Sequence, residues 1–283
     1  MDNNTGNNTG KEYKINFAIG NAEAGIKTNS KLQLNDATLL TSYFKYLNYL
    51  VYDSNGDLVH RIVQQRDSVT NFGLIADYLK AGSYTIIFEA GQFDLMPTTV
   101  IPASFAKLST ANIQNPMYHD DFFYKKLNIT VTDTSVTQSV TLKRVASKLQ
   151  IRFSDTIPSD VTGVLISVSA YAYYYSLAKD SLFYGNGSAT RISFTPAQIG
   201  HANVTVTSAL VFAYRPGSVS IRVETAANSM NKYAGVSVDD VTFVRNETTL
   251  LSGQVFNNYS TSQNGNITIS INPDWDGSTT IPF

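Results

Sequence analysis

The sequence predicts an all-β protein made of two tandem β-sandwich domains. The main observation is an internal repeat, in which three short segments recur in the same order 136, 135 and 138 residues later. The matched segments are Lys14–Phe17 and Gln150–Phe153, Gly82–Glu89 and Gly217–Glu224, and Asn128–Val131 and Asn266–Ile269. Apolar and polar residues alternate within each segment, which is typical of half-buried antiparallel strands because successive side chains point to opposite faces. Long stretches with the 3.6-residue period of a helix are absent from the sequence.

The length of the chain agrees with two copies of one domain. Its 283 residues would divide into copies of about 140 residues, each large enough to bury its own core. We predict a disordered tether over residues 1–10, an N-terminal sandwich over 11–145 and a C-terminal sandwich over 146–283. The tether is rich in Asn, Thr and Gly and has too little apolar surface to pack. Since no Gly- or Pro-rich linker precedes residue 146, the domains should stack end to end with limited swing.

In the first domain, alternation and turn signals together predict a series of strands. They cover Tyr13–Ile19, Tyr46–Tyr52, Leu58–Gln64, Gly82–Glu89, Leu127–Thr132 and Gln138–Leu142. Asn55 and Gly56 lie between the second and third of these strands and predict a β-hairpin, because Asn-Gly supplies the positive φ angles that a tight turn requires. Prolines interrupt the stretch Gln92–Lys126, which we predict to be irregular except for a short helix over Ala103–Ser109.

In the second domain, short strands alternate with turn signals. The predicted strands are Leu149–Phe153, Val164–Tyr171, Thr190–Phe194, Ala209–Ala213, Ser218–Glu224, Val241–Val244, Thr249–Phe256 and Asn266–Ile271. Many short strands separated by frequent turns are typical of a β-sandwich.

The composition argues against several classes of function. Acidic and basic residues nearly cancel, giving a net charge of −1, so the chain lacks the basic face that nucleic acids require and a polybasic surface for anionic membranes. It contains no cysteine, which excludes disulfides, thiolate metal sites and thiol nucleophiles. No run of about 18 apolar residues could cross a membrane as a helix.

Motifs for catalysis or cofactor binding are missing as well. The histidines His60, His119 and His201 are far apart, and the sequence contains no nucleophile elbow, Walker loop or dinucleotide-binding glycine motif. The best metal candidate is His119–Asp121, but neighbouring side chains of a strand point in opposite directions, and an exposed polar loop is favoured. We therefore predict no catalytic residues, no cofactor and no bound metal.

A cluster of tyrosines in the second domain is the strongest candidate for a ligand or partner surface. Tyr171, Tyr173, Tyr174 and Tyr175 lie within five residues, and Tyr184 follows nearby. A tyrosine presents a flat apolar ring and a polar tip, which suits contacts with sugars and with protein surfaces. Packing at the edge of a sheet is the other interpretation, and the sequence alone favours it.

Several segments of the chain match the strand and turn patterns of one protein family. They are Leu47–Gly56, Leu79–Phe88, Leu142–Leu149, Asn266–Asn272, Asp274–Asp276 and Ile281–Phe283. Together with the tandem layout, they resemble the fimbrillin-like proteins of Bacteroides-type bacteria, and in particular the anchor and minor-subunit branch of type V pili. The resemblance implies two transthyretin-like, Greek-key β-sandwiches.

The resemblance also implies a location and partners. It implies export as a lipoprotein, display on the outer membrane or in a fimbrium, and contacts with other fimbrial subunits through added β-strands. The lipidated cysteine would lie upstream of the Asn-rich tail, outside this sequence. Three Asp-Ser/Thr-apolar triplets, centred on Ser68, Thr156 and Ser181, resemble the pattern that these bacteria O-glycosylate.

We therefore predict a non-enzymatic fimbrial subunit that acts in pilus assembly and cell adhesion. About eleven residues follow the last repeated strand, which is short for a C-terminal donor strand, so an anchor or accessory subunit is favoured over a main stalk subunit. Further partners would be a host or bacterial surface protein or a glycan, and not nucleic acid. The alternative is a carbohydrate-binding lipoprotein of the outer-membrane surface, whose tyrosines contact the sugar.

Overall fold

The computed structural model describes residues 10–23, 44–94, 103–114, 121–169, 171–185, 187–211, 216–226, 233–257 and 267–272. Within these residues the protein contains 18 β-strands and three short 3-10 helices. The prediction of an all-β fold is therefore confirmed. Over the same residues, no helix has the length and apolar character needed to cross a membrane. Residues 1–9 of the predicted tether lie outside the described ranges.

The N-terminal part of the chain forms a seven-stranded sheet. The first eight strands are β1 (Glu12–Glu23), β2 (Tyr46–Tyr52), β3 (Leu58–Gln65), β4 (Leu74–Lys80), β5 (Gly82–Gly91), β6 (Asn112–Gln114), β7 (Phe122–Val131) and β8 (Val136–Arg144). All of them except β6 belong to this sheet, in the order β3-β2-β5-β7-β8-β1-β4. The pairing of β1 with β8 is parallel, and the other pairings are antiparallel.

The sheet curls around its core until its two outer strands, β3 and β4, meet through side chains. Gln64 Nε2 donates to the carbonyl of Leu74 at 2.7 Å, and Gln64 Oε1 accepts from the N–H of Gly73 at 2.8 Å. Further along, His60 Nδ1 lies 2.8 Å from Asp77 Oδ1. The enclosed core includes Tyr13, Ile15, Phe17, Ile19, Tyr49, Val51, Ile86, Phe88, Val140 and Leu142.

The predicted hairpin between β2 and β3 is present. Gly56 has a φ of 75°, a left-handed conformation that glycine adopts without the strain of a Cβ. Asp53 reinforces the turn, since its Oδ1 accepts hydrogen bonds from the backbone N–H groups of Asn55 and Asp57 at 2.8 and 2.9 Å.

The C-terminal part forms two four-stranded sheets that enclose a second core. Its strands are β9 (Ser147–Phe153), β10 (Val161–Val168), β11 (Tyr171–Ser176), β12 (Ser181–Gly185), β13 (Ser188–Ser193), β14 (Val204–Val211), β15 (Gly217–Thr225), β16 (Val236–Val241), β17 (Thr248–Gly253) and β18 (Ile267–Asn272). One sheet has the order β13-β10-β15-β16, and the other has the order β14-β9-β17-β18. Ile151, Phe153, Val164, Ile221 and Leu251 belong to the buried cluster between them.

Two of the three repeated segments occupy equivalent places in the two parts. The first pair is β1 and β9, since β1 pairs in parallel with β8 and β9 pairs in parallel with β17. The second pair is β5 and β15, since β5 lies between β2 and β7 and β15 lies between β10 and β16. The third match fails, because Asn128–Val131 is in β7, which pairs with β5, whereas Ile267–Ile269 is in β18, which pairs with β17. A four-residue alternating pattern fits any half-buried strand, so this match did not identify equivalent positions.

A small three-stranded sheet joins the two parts of the chain. Its order is β12-β11-β6, so a strand that precedes residue 145 pairs with one that follows it. Residues on the outer face of the seven-stranded sheet, including Leu50, Tyr52 and Ile87, share a third buried cluster with Tyr175 and Leu182 of the small sheet. The division of the chain at residues 145 and 146 stays a prediction.

The stretch predicted to be irregular contains more regular structure than expected. Two single-turn 3-10 helices, Ala103–Phe105 and Leu108–Thr110, replace the predicted helix, and β6 follows them. β7 begins at Phe122, five residues before its predicted start. Its first three residues are all buried, in two different clusters, so they do not show the alternation from which strands were predicted.

Candidate functional site

The predicted tyrosine surface lies on β11 and β12, but not all of its members are exposed. Tyr175 is fully buried, and its ring centroid lies 5.6 Å from that of Phe122 and 5.3 Å from that of Tyr124. Contrary to the prediction, Tyr175 therefore attaches the small sheet to the seven-stranded one and is not part of an exposed surface. Tyr184 is half-buried and packs against two of the cores. The side chain of Tyr171 lies outside the described residues.

An irregularity in β11 turns two consecutive tyrosines outward. Ala172 pairs with Tyr184 and Tyr174 pairs with Phe183, which leaves Tyr173 as the extra residue of a β-bulge. As a result, Ala172 and Tyr175 are both buried, although residues three positions apart in a regular strand point to opposite faces. Between them, Tyr173 is 54% exposed and Tyr174 is half-buried.

These two tyrosines and Phe183 of β12 form an aromatic shelf. The rings of Tyr174 and Phe183 stack with centroids 4.4 Å apart and planes 19° apart. The ring of Tyr173 lies 6.1 Å from that of Tyr174 at an interplanar angle of 72°. Lys179 Nζ lies 5.2 Å from the centroid of Phe183. The aromatic shelf thus combines flat apolar faces, phenol hydroxyl groups and one adjacent cation.

The buried hydroxyl of Tyr175 fixes the turn that connects β11 to β12. It donates a hydrogen bond to Asp180, and Arg245 Nη2 donates to the same carboxylate at 2.8 Å. Burial, followed by the charge of Asp180, raises the pKa of Tyr175 above its ordinary range. The phenol therefore stays protonated and continues to donate to Asp180.

Two contacts from β7 hold the same turn from the other side. The hydroxyl of Tyr124 donates to the carbonyl of Leu177, and Lys126 Nζ donates to the carbonyl of Ala178 at 2.6 Å. Since both acceptors are backbone atoms, these contacts position the chain itself. The aromatic shelf is therefore carried by a hairpin with fixed geometry.

A second candidate surface is the open edge of β8. One side of β8 pairs with β1, but on the other side only Lys143 and Arg144 are paired, with Tyr124 and Phe123 of β7. Over residues 136–142, no other strand among those described pairs with this side of β8. In the C-terminal part, β17 takes the corresponding place beside β9, and its other side is occupied by β18 through six residue pairs.

The seam between β3 and β4 differs from this edge because side chains close it. Asp77 points inward from β4, where it accepts from the hydroxyl of Tyr49 at 3.1 Å and from the N–H of Tyr78 at 2.8 Å. Inward-pointing charged residues are a common protection of edge strands against added chains. An added strand would have to displace Asp77 and its partner His60, so the open edge of β8 is the better candidate for strand addition.

The residues predicted to carry O-linked sugars lie in three different settings. Ser68 is exposed in the 3-10 helix Arg66–Ser68, and Thr156 is exposed in the loop between β9 and β10. Ser181 is half-buried at the start of β12. Their modification stays a prediction.

The described part of the chain contains no group of three or more His, Asp or Glu side chains arranged to hold a metal ion. Asp121, from the predicted polar loop, instead accepts a hydrogen bond from Arg144 Nε at 2.6 Å. His119 and Asp120 lie outside the described residues.

The sequence did not reveal Lys179 or the edge of β8 as parts of a candidate site. Lys179 reaches the aromatic shelf only because the turn after β11 brings it over Phe183, and no local motif signals that contact. The open edge depends on which strands lie beside β8, a property of the sheet order and not of the sequence of β8.

Comparison with known proteins gives one family and several similar structures. The model of a family of unknown function, DUF6562, matches residues 94–282. No match was found among curated proteins.

The similar structures include proteins of fimbriae. The fimbrial anchor protein Mfa2 from Porphyromonas gingivalis is 12% identical, with a TM-score of 0.59 over 93% of this chain and 98% of that chain. The tip fimbrial protein Mfa3 from the same organism, truncated at its C-terminus, is 12% identical, with a TM-score of 0.50 over 93% and 99%. A candidate polysaccharide-binding protein from Bacteroides thetaiotaomicron is 12% identical, with a TM-score of 0.61 over 93% and 97%. At this identity the likeness shows a shared fold, and it confirms the predicted resemblance to fimbrial proteins at that level.

Proposed function

This chain belongs to DUF6562, a family of unknown function, and we propose that it is a non-enzymatic fimbrial subunit of the bacterial cell surface. The proposal is supported by the fold that it shares with a fimbrial anchor and a fimbrial tip protein over more than nine-tenths of each chain. Within a fimbrium we assign it to the anchor, tip or accessory subunits, which act in pilus assembly and cell adhesion. For an anchor, the proposal includes attachment to the outer membrane through a lipidated cysteine upstream of this sequence.

The open edge of β8 is the observation that carries the proposed mode of assembly. Main-chain N–H and C=O groups at an open edge can pair with a strand from another chain, which is how β-augmentation joins subunits. Along this edge, Thr137, Ser139 and Thr141 are exposed, whereas Val140 and Leu142 point into the core. The edge therefore belongs to a strand whose position is fixed by its buried side chains.

The C-terminal part contains an internal example of the same edge with a strand added. β17 corresponds to β8, because β17 pairs in parallel with β9 and β8 pairs in parallel with β1. On its other side, β17 pairs with the antiparallel strand β18. A strand added to β8 would extend the N-terminal sheet in the same way. We propose that this strand comes from a neighbouring fimbrial subunit.

Site-specific photo-crosslinking in the bacterium that produces the protein tests this contact. A photoreactive amino acid replaces Ser139, which is exposed on β8, in the full-length chain. The matched control position is Ser220, which is also exposed but lies on β15, a strand paired on both sides. We expect a crosslinked product that contains another fimbrial subunit from position 139 and little or none from position 220.

Two outcomes would contradict the proposal at different levels. Equal crosslinking from both positions, or none from position 139, would exclude strand addition at β8 while leaving the subunit role open. The subunit role itself is tested by deleting the gene and examining surface fimbriae by electron microscopy. Fimbriae unchanged in number, length and attachment to the cell would contradict it.

A further inference from the structure

We infer that the aromatic shelf of Tyr173, Tyr174 and Phe183 binds a sugar ring that carries a carboxylate, as in an acidic polysaccharide. The shelf lies on the small three-stranded sheet, whereas the open edge lies on the seven-stranded sheet. The inference therefore does not rest on the proposed role in fimbrial assembly.

The β-bulge is the first reason for this inference. A regular strand would have turned Tyr173 and Tyr174 to opposite faces, with one ring inside. The bulge instead keeps the small Ala172 and the anchoring Tyr175 inside and leaves both other tyrosines outside. Bulges re-aim side chains and are common beside functional sites. An aromatic ring that stays exposed to water does not contribute the favourable free energy of burying its apolar surface. A ligand that covers the ring would bury this surface and gain that free energy on binding.

The geometry of the rings suits a pyranose. Tyr173 is inclined at 72° to Tyr174, so the two rings form a corner that can contact one face and one edge of a sugar ring. The C–H groups on the apolar face of a pyranose are slightly positive and complement the negative face of an aromatic ring. The phenol hydroxyl groups can donate hydrogen bonds to sugar hydroxyl groups and accept hydrogen bonds from them. The site could therefore combine apolar ring contacts with hydrogen bonds to the same sugar.

The charge beside the rings selects an acidic sugar. Lys179 is exposed, its ammonium lies over Phe183, and within the described part of the chain it forms no ion pair. The adjacent carboxylate of Asp180 is already held by Arg245 and Tyr175. A carboxylate on the bound sugar would therefore be the partner of the Lys179 ammonium.

An acidic peptide is the competing ligand class, and the strand pairing disfavours it. β11, which carries both tyrosines, pairs with β12 along its length and with β6 at Tyr174, Tyr175 and Ser176. Among the described residues of β11, only Tyr171–Tyr173 lack a partner strand on the β6 side, so an extended peptide could pair with this short segment at most and would bind mainly through side chains. A flat sugar ring needs only the exposed ring faces.

Binding of the full-length chain to an array of immobilised oligosaccharides tests the inference. The array carries uronic acid oligomers, the same oligomers with methyl-esterified carboxylates, neutral hexose oligomers and a poly-glutamate peptide. The variants are Tyr173→Ala and Lys179→Gln, with Tyr78→Ala as the matched control, because Tyr78 on β4 is 53% exposed and Tyr173 is 54% exposed. Thermal unfolding of each variant checks that the fold is intact.

We expect the chain to bind at least one uronic acid oligomer and to bind its methyl ester more weakly. Tyr173→Ala should lower the affinity roughly tenfold, and Tyr78→Ala should leave it unchanged. Lys179→Gln should lower affinity for the acidic oligomers only and reduce the sensitivity of binding to salt. Failure to bind any uronic acid oligomer, an affinity unaffected by Tyr173→Ala, or equal binding of the ester or of poly-glutamate would overturn the inference.

Discussion

The side-chain amide of Asn48 donates a hydrogen bond to Glu89 Oε2 at 2.9 Å, and both residues are buried as cross-strand partners on β2 and β5. The remaining oxygens of the pair, Asn48 Oδ1 and Glu89 Oε1, have no hydrogen-bond partner when Glu89 is ionised. Burial raises the pKa of Glu89 well above 4.5, although the hydrogen bond from Asn48 opposes the shift. Burial therefore favours the neutral acid over the carboxylate at Glu89 in the folded protein.

We expect this acid to make the protein less stable as the pH rises. A group with a raised pKa in the folded state contributes its full stabilisation below the unfolded value of 4.5 and loses it as the pH increases. The loss is about 1.4 kcal/mol per pH unit while only the unfolded chain is ionised. Glu89→Gln keeps the shape and the hydrogen-bonding pattern without a titratable group, so the variant should gain stability over the wild type from pH 5 to pH 8. Urea unfolding at several pH values measures this difference, and parallel pH profiles would contradict the assignment.

The carboxylate of Asp155 should stabilise the loop that follows β17. This buried residue accepts hydrogen bonds at Oδ2 from the backbone N–H groups of Val255, Phe256 and Asn257, at 3.0, 2.6 and 3.0 Å. Asp155→Asn removes the charge and can turn an NH₂ group toward these donors, so we expect a loss of about 2–4 kcal/mol. The control is Asp133→Asn at an exposed loop position, expected to change the free energy of unfolding by less than about 0.5 kcal/mol. Equal effects of the two substitutions in urea unfolding would refute the role of Asp155.

Arg144 should hold the two parts of the chain together. It is almost fully buried, with Nε donating to Asp121 at 2.6 Å and Nη1 donating to Asn246 of the C-terminal part at 2.9 Å. Arg144→Ala leaves both acceptors without this donor, and we expect a loss of about 2–4 kcal/mol together with faster proteolytic cleavage near residue 145.

The control for this substitution is Arg191→Ala. Arg191 also makes two hydrogen bonds to a carboxylate, that of Glu224, but it is exposed to solvent. Exposed ion pairs contribute little, so neither the unfolding curve nor the cleavage rate should change appreciably. A cleavage rate unchanged by Arg144→Ala would show that Arg144 does not restrain the junction.

Three substitutions in β11 should separate anchoring from binding. Tyr175→Ala removes a buried ring that contacts Phe122 and Tyr124, so we expect it to destabilise the protein by about 3–5 kcal/mol. Tyr175→Phe keeps the ring but removes the hydrogen bond to Asp180 and the long one, 3.5 Å, that the hydroxyl accepts from Arg245 Nη2, and should cost about 1 kcal/mol. Tyr173→Ala, at an exposed position, should change stability by less than about 0.5 kcal/mol. Denaturant unfolding measures all three, and a large loss for Tyr173→Ala would mean that its ring is structural.

The parts of the fold that follow local rules were predictable from the sequence. Alternation identified β1 and β5, and the Asn55-Gly56 pair identified the hairpin of β2 and β3, because each signal lies within a few neighbouring residues. The same rule failed for β11, since the bulge at Tyr173 places Ala172 and Tyr175 on one face. A search for regular alternation cannot detect a strand whose alternation is interrupted by a bulge.

The contacts that join distant segments were not predictable. Asn48 and Glu89 are 41 residues apart, and Asp155 contacts backbone groups about 100 residues later, so neither pair leaves a local pattern. For the candidate site, the sequence predicted the tyrosine cluster but not which of its rings are exposed. That distinction depends on the packing of β11 against β7, which only the tertiary structure supplies.

The parallel pairing of β1 with β8 delays the completion of the N-terminal sheet while the chain is synthesised. Ile15 pairs with Asp77 of β4 on one side and with Val136 of β8 on the other, so one side of β1 has a partner after about 60 residues and the other side only after about 120. Contacts between such distant segments form slowly, because a long loop must close before they gain any stabilisation. The same arrangement recurs between β9 and β17, about 100 residues apart. The N-terminal sheet is therefore expected to be completed only after β8, near the middle of the chain, has been synthesised, and the pairing of β9 only after β17.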